Sequence, residues 1–291
     1  MLVISDNIKG ALIMSGSMLA FVLNDGLMKI LFADWSIYQA IFLRGILTIP
    51  LMLFFAWKAK QLVVKLSRSD WKLIVIRTAS EVGAAIFFLS ALAHMPLANV
   101  TAILQVLPLA VTMGAAIFLR ESVNWRRWLA IFIGFIGVMI IVRPGLEGFS
   151  VYSISALGAV ACVTVRDLTT SRLSSNAPSM FVALITGIAI TVLGAVMLPT
   201  IAWAPIYKSH WLILIISAIA IIFGYLFSVM AMRYGDASFI APFRYTAMLW
   251  AIIIGVLLFN DWPDHLTLLG TTIIVATGIY SFYRERLQRV V

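Results

Sequence analysis

Ten stretches of this chain are apolar almost from end to end: residues 8–31, 35–57, 71–94, 97–119, 127–142, 151–172, 178–199, 211–233, 237–259 and 266–283. About 20 apolar residues, wound at about 1.5 Å each, cross roughly 30 Å of hydrocarbon. A backbone in that medium finds no water and must satisfy its own hydrogen bonds, so each stretch is expected to be a helix. Ten such helices use about 200 residues and leave about 90 for the links and tails. That is too little for a separate extramembrane domain. Of the 291 residues, 63% are hydrophobic and 11% are charged, a balance that excludes an ordinary water-facing surface. The fold class is therefore an all-α polytopic membrane protein with ten transmembrane helices.

Residues 1–9 run into the first apolar stretch without a small-residue cleavage pattern, which reads as a retained first helix rather than a removed signal peptide. The formal net charge of +9 would raise the question of nucleic acid in a soluble protein. Here the placement of the basic residues matters more. With the N-terminus cytoplasmic, fourteen Lys and Arg fall on that side, among them Lys58, Lys60, Lys65, Arg126 and Arg127, while only Lys29, Arg143 and Lys208 fall on the other. The positive-inside rule accounts for this split. It places both termini in the cytoplasm of a bacterium with the chain in its inner membrane, and no nucleic-acid partner is expected. Eight of the nine tryptophans sit at span ends or in links, where an interfacial aromatic belt belongs; Trp250 alone lies near mid-membrane.

The chain also resembles itself at a separation of about 140 residues. Asp25 and Trp35-Ser36 correspond to Asp167 and Ala177-Pro178, and Ala98 and Gln105 correspond to Ala237 and Arg244. Five spans per half is an odd number, so the second copy enters the membrane upside down. Two inverted five-helix repeats follow, at residues 1–145 and 146–291.

Seven ionisable side chains fall inside the spans: Arg44, Arg77, Arg166, Arg244, Asp25, Glu81 and Asp167. An unpaired charge there costs at least about 2.5 to 3.5 kcal/mol, so these residues should face protein or water. Asp25 and Arg44 lie at similar depth and are expected to pair, either as a fixed lock between two helices or as an outer gate. Arg77 and Glu81, four residues apart, share one helix face and are expected to pair directly. Glu81 lies near the midplane, where it could meet a substrate ammonium or carry a proton, or simply support packing. Arg166, Asp167 and Arg244 are expected to form an inner charge cluster with Arg77, unless the two later arginines snorkel to the interface.

Asn99, Thr101 and Gln105 on the fourth span, with Tyr245 and Trp250 on the ninth, add polar and aromatic groups to a substrate site. Pro108 and Pro242 each free a backbone carbonyl and permit a kink, so the two spans that carry them could serve as paired gates or as static packing. Spans five and ten have no interior charge, and Ala130 and Gly134 stand four apart, which suits a scaffold or a dimer face. The single cysteine, Cys162, cannot close an intramolecular disulfide, and His94, His210 and His265 lack ligand spacing. No metal and no cofactor is expected. There is no HExxH, GxSxG or phosphate-binding glycine loop to suggest an enzyme.

Particular residues resemble a known family. Asn24-Asp25 with Arg44, Pro108-Leu-Ala, Leu119-Arg-Glu121, Trp125-Arg-Arg-Trp128, Gly134-Phe-Ile-Gly137 and Arg143-Pro-Gly145 are similar to the first EamA repeat of the drug/metabolite transporter superfamily. Ala241-Pro-Phe-Arg-Tyr245, Trp250, Leu258-Phe-Asn-Asp-Trp-Pro263 and Leu269-Gly270 resemble its second repeat. Where that repeat commonly has Glu after Phe-Gly, this chain has Asn260-Asp261, and Asp can serve as a helix cap there. The resemblance implies a basket of two inverted repeats around a cavity lined by helices one, three, four, six, eight and nine. It also implies relatives that export amino acids, of the YddG type, or carry nucleotide-like metabolites such as S-adenosylmethionine.

The sequence thus points to an inner-membrane secondary transporter that exports amino acids or similar small metabolites by alternating access, as a monomer or homodimer in the lipid bilayer. The substrate-binding residues are expected to be Arg77, Glu81, Asn99, Gln105, Arg244, Tyr245 and Trp250, and the gating residues Asp25, Arg44, Pro108, Arg166, Asp167 and Pro242. Uptake of a nucleotide-like metabolite is the alternative, and a membrane-embedded enzyme or a channel stands further off.

Overall fold

The structure is a computed structural model that describes residues 6–62, 64–121, 123–145, 149–174, 176–234 and 240–289. Among these residues the α-helices are α1 (Asp6–Leu31), α2 (Ile37–Lys58), α3 (Arg68–His94), α4 (Leu97–Leu104), α5 (Leu107–Phe118), α6 (Trp125–Val142), α7 (Val151–Thr170), α8 (Ser179–Met197), α9 (Lys208–Tyr234), α10 (Thr246–Phe259) and α11 (His265–Arg289). Short 3-10 turns occupy Leu198–Thr200 and Ala241–Tyr245. Ten segments are long and apolar enough to cross a membrane, with α4 and α5 together making the fourth, Leu97–Phe118. The proposed repeat boundary, and the start of the ninth span at Ala237, lie outside the described residues.

Local chemistry sets the helix ends. The Ser36 hydroxyl accepts from Gln39 N–H to open α2, and Ser67 and Asp70 form a reciprocal capping box at α3. Asn124 and Ser150 cap α6 and α7 in the same way. At the other ends Arg143 and Asn260 take left-handed backbone conformations, φ 52° and 55°, that stop α6 and α10. The Asn260-Asp261 link therefore ends a helix through Asn260, and the cap of the helix that follows is Asp264, whose carboxylate accepts from Thr267 N–H at 2.8 Å.

The fourth span does not merely bend. Pro108 has no N–H to offer the Leu104 carbonyl, and its ring crowds that position. The helix breaks at Gln105 and Val106, and Leu109 and Ala110 both donate to the Val106 carbonyl. Pro242 lies in the 3-10 turn that precedes α10, not in a helix interior. The two breaks thus coincide with Gln105 and Arg244, the pair aligned by the internal repeat.

The main packing partners are α1 with α9, α3 with α7, α2 with α8, and α6 with α11, followed by α1 with α10 and α5 with α7. Exchanging the first five spans with the last five maps this set of pairs onto itself. Spans five and ten meet each other: a side chain added at Gly137 would strike the Gly270 carbonyl, and one at Gly270 would strike that of Gly137. Only glycine allows so close a backbone approach, so these helices are scaffold within the chain.

A buried core joins α4 with α6, α7, α10 and α11, and a second joins α1, α2, α3, α9 and α10. Large apolar side chains such as Leu12, Phe54, Phe132, Leu257 and Trp262 point outward, as a lipid-facing surface requires.

Candidate functional site

Two of the hollows in the bundle divide the embedded charges between them. The larger, about 640 Å³, runs from Glu121 and Arg127, on the face where α5 ends and α6 begins, up to Asp25 on α1. Arg166 and Asp167 of α7 and Arg244 line it, with Thr101, Gln105, Pro108 and Thr112 from the broken span. Phe21, Phe88 and Phe282 supply aromatic wall. The smaller hollow, about 90 Å³, lies among α2, α3, α8 and α9 and is lined by Arg44, Thr48, Arg77, Glu81, Thr186 and Tyr225.

Two hydrogen-bonded chains of side chains connect the hollows. In the first, Arg44 Nη1 donates to Asn24 Oδ1 at 3.1 Å, and Asn24 Nδ2 donates to Asp25 Oδ1 at 3.0 Å. Ser217 on α9 donates to the same Asn24 oxygen at 2.8 Å, which fixes the amide between its neighbours. The expected direct Asp25–Arg44 pair is therefore replaced by one relayed through Asn24.

In the second chain Arg166 forks. Its Nη1 reaches Glu81 at 2.9 and 3.2 Å, and its Nε reaches Asp167 at 2.8 Å. The expected Arg77–Glu81 pair within α3 does not form. Arg77 instead donates from Nε to Thr170 at 3.0 Å and from Nη1 to Thr186 at 2.6 Å. Glu81 faces α7, where it accepts both of its bonds from the Arg166 guanidinium.

Both halves of the sequence supply this geometry, and both match one family description. The EamA-like transporter family matches residues 8–143 and again 151–283. The chain belongs to the EamA-like transporter family. It is a multi-pass membrane protein of this transporter family, which is part of the drug/metabolite superfamily.

A relative from Rickettsia conorii named as an S-adenosylmethionine uptake transporter is 27% identical over 199 residues, 66% of this chain and 65% of that protein. A riboflavin transporter from Brucella anthropi is 27% identical over 273 residues, covering 89% of this chain and 90% of the relative. A pseudopaline exporter from Pseudomonas aeruginosa is 25% identical over 226 residues, 76% of this chain and 78% of the relative. This chain thus spans about two thirds of the Rickettsia protein, 65% of its length. A solved crystal structure shares the fold at a TM-score of 0.66 and 18% identity, covering 96% of this chain and 98% of the other.

In this transporter the large cavity gathers Gln105, Pro108, Asp25, Arg166, Asp167 and Arg244 from the expected site residues. The other seven lie elsewhere. Arg77 and Glu81 line the small hollow, so they share no wall with Arg244. Tyr245 is buried, with its ring against Gly278 of α11. Trp250 donates its Nε1–H to the Ser15 carbonyl at 3.1 Å, tying α10 to α1. Asn99 belongs to the first turn of α4, outside the cavity wall.

Arg44 belongs to the small hollow, and Pro242 to the turn that positions Arg244. The eighth span, α9, lines the small hollow rather than the large one, and the tenth contributes Phe282 instead. Asn24 and Tyr225 are the functional candidates that attention to charge alone passes over. Their signal was available as polar side chains in the middle of apolar runs.

Gln105 and Arg244 both line the large cavity and carry groups with no partner among the described residues. Gln105 is buried and its Nε2 makes no hydrogen bond. Arg244 faces the cavity, and no ion pair or hydrogen bond of its guanidinium is found among those residues. Gln105 is thus a buried donor without a partner, whereas Arg244 is exposed to the space it faces.

Proposed function

We propose that this transporter moves a zwitterionic or charged organic metabolite, an amino acid or a compound of similar polarity, across the bacterial inner membrane by alternating access. The observation that carries this reading is the composition of the large cavity. Arg244 and Gln105 offer unpaired donors to a carboxylate, and Asp25 and Asp167 offer oxygens to an ammonium. A zwitterion leaving water needs both signs. The two sequence halves, 1–145 and 146–291, act as the moving bodies, and the breaks at Gln105 and Arg244 act as their paired gates.

The face rich in Lys and Arg is cytoplasmic in this reading, with both chain ends there. The large cavity opens toward that face, where a cargo for export would load. Export is thus the direction supported, and the chain works as a monomer or homodimer.

A second reading is uptake of a nucleotide-like or other ring-bearing metabolite. It is favoured by a volume of about 640 Å³ and by the Phe21, Phe88 and Phe282 walls, because pockets of about 300 to 1,000 Å³ suit ligands larger than most amino acids. The names of the Rickettsia and Brucella relatives point the same way.

The test is purified protein in liposomes with a panel of labelled amino acids, S-adenosylmethionine and riboflavin, with and without a pH gradient. Saturable movement of a zwitterion that Arg244→Gln abolishes supports the first reading. Movement of ring-bearing cargo alone, unaffected by Arg244→Gln, overturns it in favour of the second.

A further inference from the structure

The small hollow between α2, α3, α8 and α9 is walled by two guanidiniums with no carboxylate of their own. Of the five N–H donors on each, Arg44 commits one, to the neutral Asn24 amide, and Arg77 commits two, to the neutral hydroxyls of Thr170 and Thr186. Neither forms an ion pair among the described residues. The one carboxylate in the wall, Glu81, receives both of its bonds from Arg166, which reaches it from α7. Two guanidiniums therefore line one hollow within the membrane span, beside Glu81, and most of their N–H donors have no partner among the described residues.

The neutral groups around that space complete an anion site. Thr48, Thr186 and Thr191 each give their hydroxyl proton to a carbonyl of their own helix, at 3.1, 2.9 and 2.7 Å. Among the described residues, the donors left without a partner on this wall belong to Arg44, Arg77 and the Tyr225 phenol. Unpartnered donors lining one hollow suit an anion. A volume of about 90 Å³ holds a monatomic ion with a few waters, and it is too small for the organic cargo of the larger cavity.

We propose that a small monovalent inorganic anion, of the size and charge of chloride, binds between Arg44 and Arg77. The site is separate from the transport cavity, with which it shares no lining residue. It is linked to that cavity by the Arg44–Asn24–Asp25 and Glu81–Arg166–Asp167 chains. An ion there holds Arg44 and Arg77 in place behind the groups that meet the cargo. The inference does not depend on which metabolite is carried.

The experiment is thermal unfolding of the purified full-length protein in detergent, titrated with chloride or bromide against gluconate and sulfate at matched ionic strength. A saturable rise in Tm with the halides alone, lost in Arg77→Gln and in Arg44→Gln but kept in Arg244→Gln, supports the site. Equal response to all four anions overturns it. A halide response lost in Arg244→Gln and kept in Arg77→Gln also overturns it, because the ion then lies in the large cavity. Should the arginine variants fail to fold, bromide soaked into crystals of the unaltered protein decides the matter. An anomalous peak between Arg44 and Arg77 supports the site, and peaks elsewhere or none refute it.

Discussion

Arg166 and Glu81 meet 2.9 Å apart between α7 and α3, and this contact joins a helix of each sequence half at the boundary of the two hollows. Because Arg166 also holds Asp167, removing Glu81 leaves the guanidinium half-satisfied rather than bare. The two side chains keep 26% and 16% of their exposure, so the cost should fall below the figure for a fully sealed pair. Glu81→Gln is expected to lower stability by about 1.5 to 3 kcal/mol, read from thermal unfolding in detergent. In a double-mutant cycle with Arg166→Gln, a coupling below about 0.5 kcal/mol would show that the contact contributes nothing specific.

Arg244 carries the opposite expectation. Its guanidinium has no hydrogen-bond partner to lose among the described residues, so Arg244→Gln should leave Tm nearly unchanged. Loss of a charge-assisted bond of about 1.5 to 3 kcal/mol to a substrate carboxylate should weaken binding roughly tenfold to a hundredfold. Equilibrium binding of the cargo identified in liposomes checks this. A drop in Tm with unaltered affinity would assign Arg244 to packing instead.

The ten spans and the isolation of seven charges inside them were legible from sequence because hydropathy and charge are properties of single residues read against a membrane. The observed helices begin and end within a few residues of the apolar stretches, as at α2 and α6. Partner choice was not legible in the same way. Glu81 has Arg77 four residues away on its own helix, and nothing in that spacing reveals that Arg166, 85 residues on, comes within 2.9 Å. The Asn24 relay was not legible from charge alone, because a neutral amide carries no charge signal. Trp250 and Tyr245 looked like cavity aromatics from their depth, but depth does not say which way a helix is turned.

Trp250 provides a direct check on that distinction. Trp250→Phe removes the indole donor to Ser15 and keeps most of the packed ring, at an expected cost of about 1 kcal/mol in stability. Substrate affinity should change less than about twofold if the residue only ties α10 to α1. A larger loss of affinity with unchanged Tm would place the ring at the cargo after all.

The contact between Gly137 and Gly270 predicts a steric rather than a polar failure. A leucine at either position places side-chain atoms where the facing carbonyl stands, and helices α6 and α11 must separate to admit it. Either Gly137→Leu or Gly270→Leu should cost at least about 1 to 3 kcal/mol, seen as a lower Tm and a lower yield of monodisperse protein. Full stability in both variants would show that the two helices do not meet as described.

Outside the spans, Arg143 at the end of α6 hydrogen-bonds Asp264 at the start of α11, linking the last helices of the two halves. Partial burial works against the Asp264 charge, but the bonds from Arg143 and from Thr267 outweigh it and hold the carboxyl below the ordinary carboxylate range. A lowered value in the folded state means that the stabilisation is present above the unfolded value, about pH 4, and is lost as pH falls through the folded one. The side chain remains 49% exposed, so solvent screening should keep the effect below about 1 kcal/mol. Thermal unfolding of the unaltered protein and of Asp264→Asn should therefore differ at about pH 5 to 7 and draw together as pH falls below about 4. Parallel curves across that range would show that the carboxylate charge does not contribute to joining the two halves.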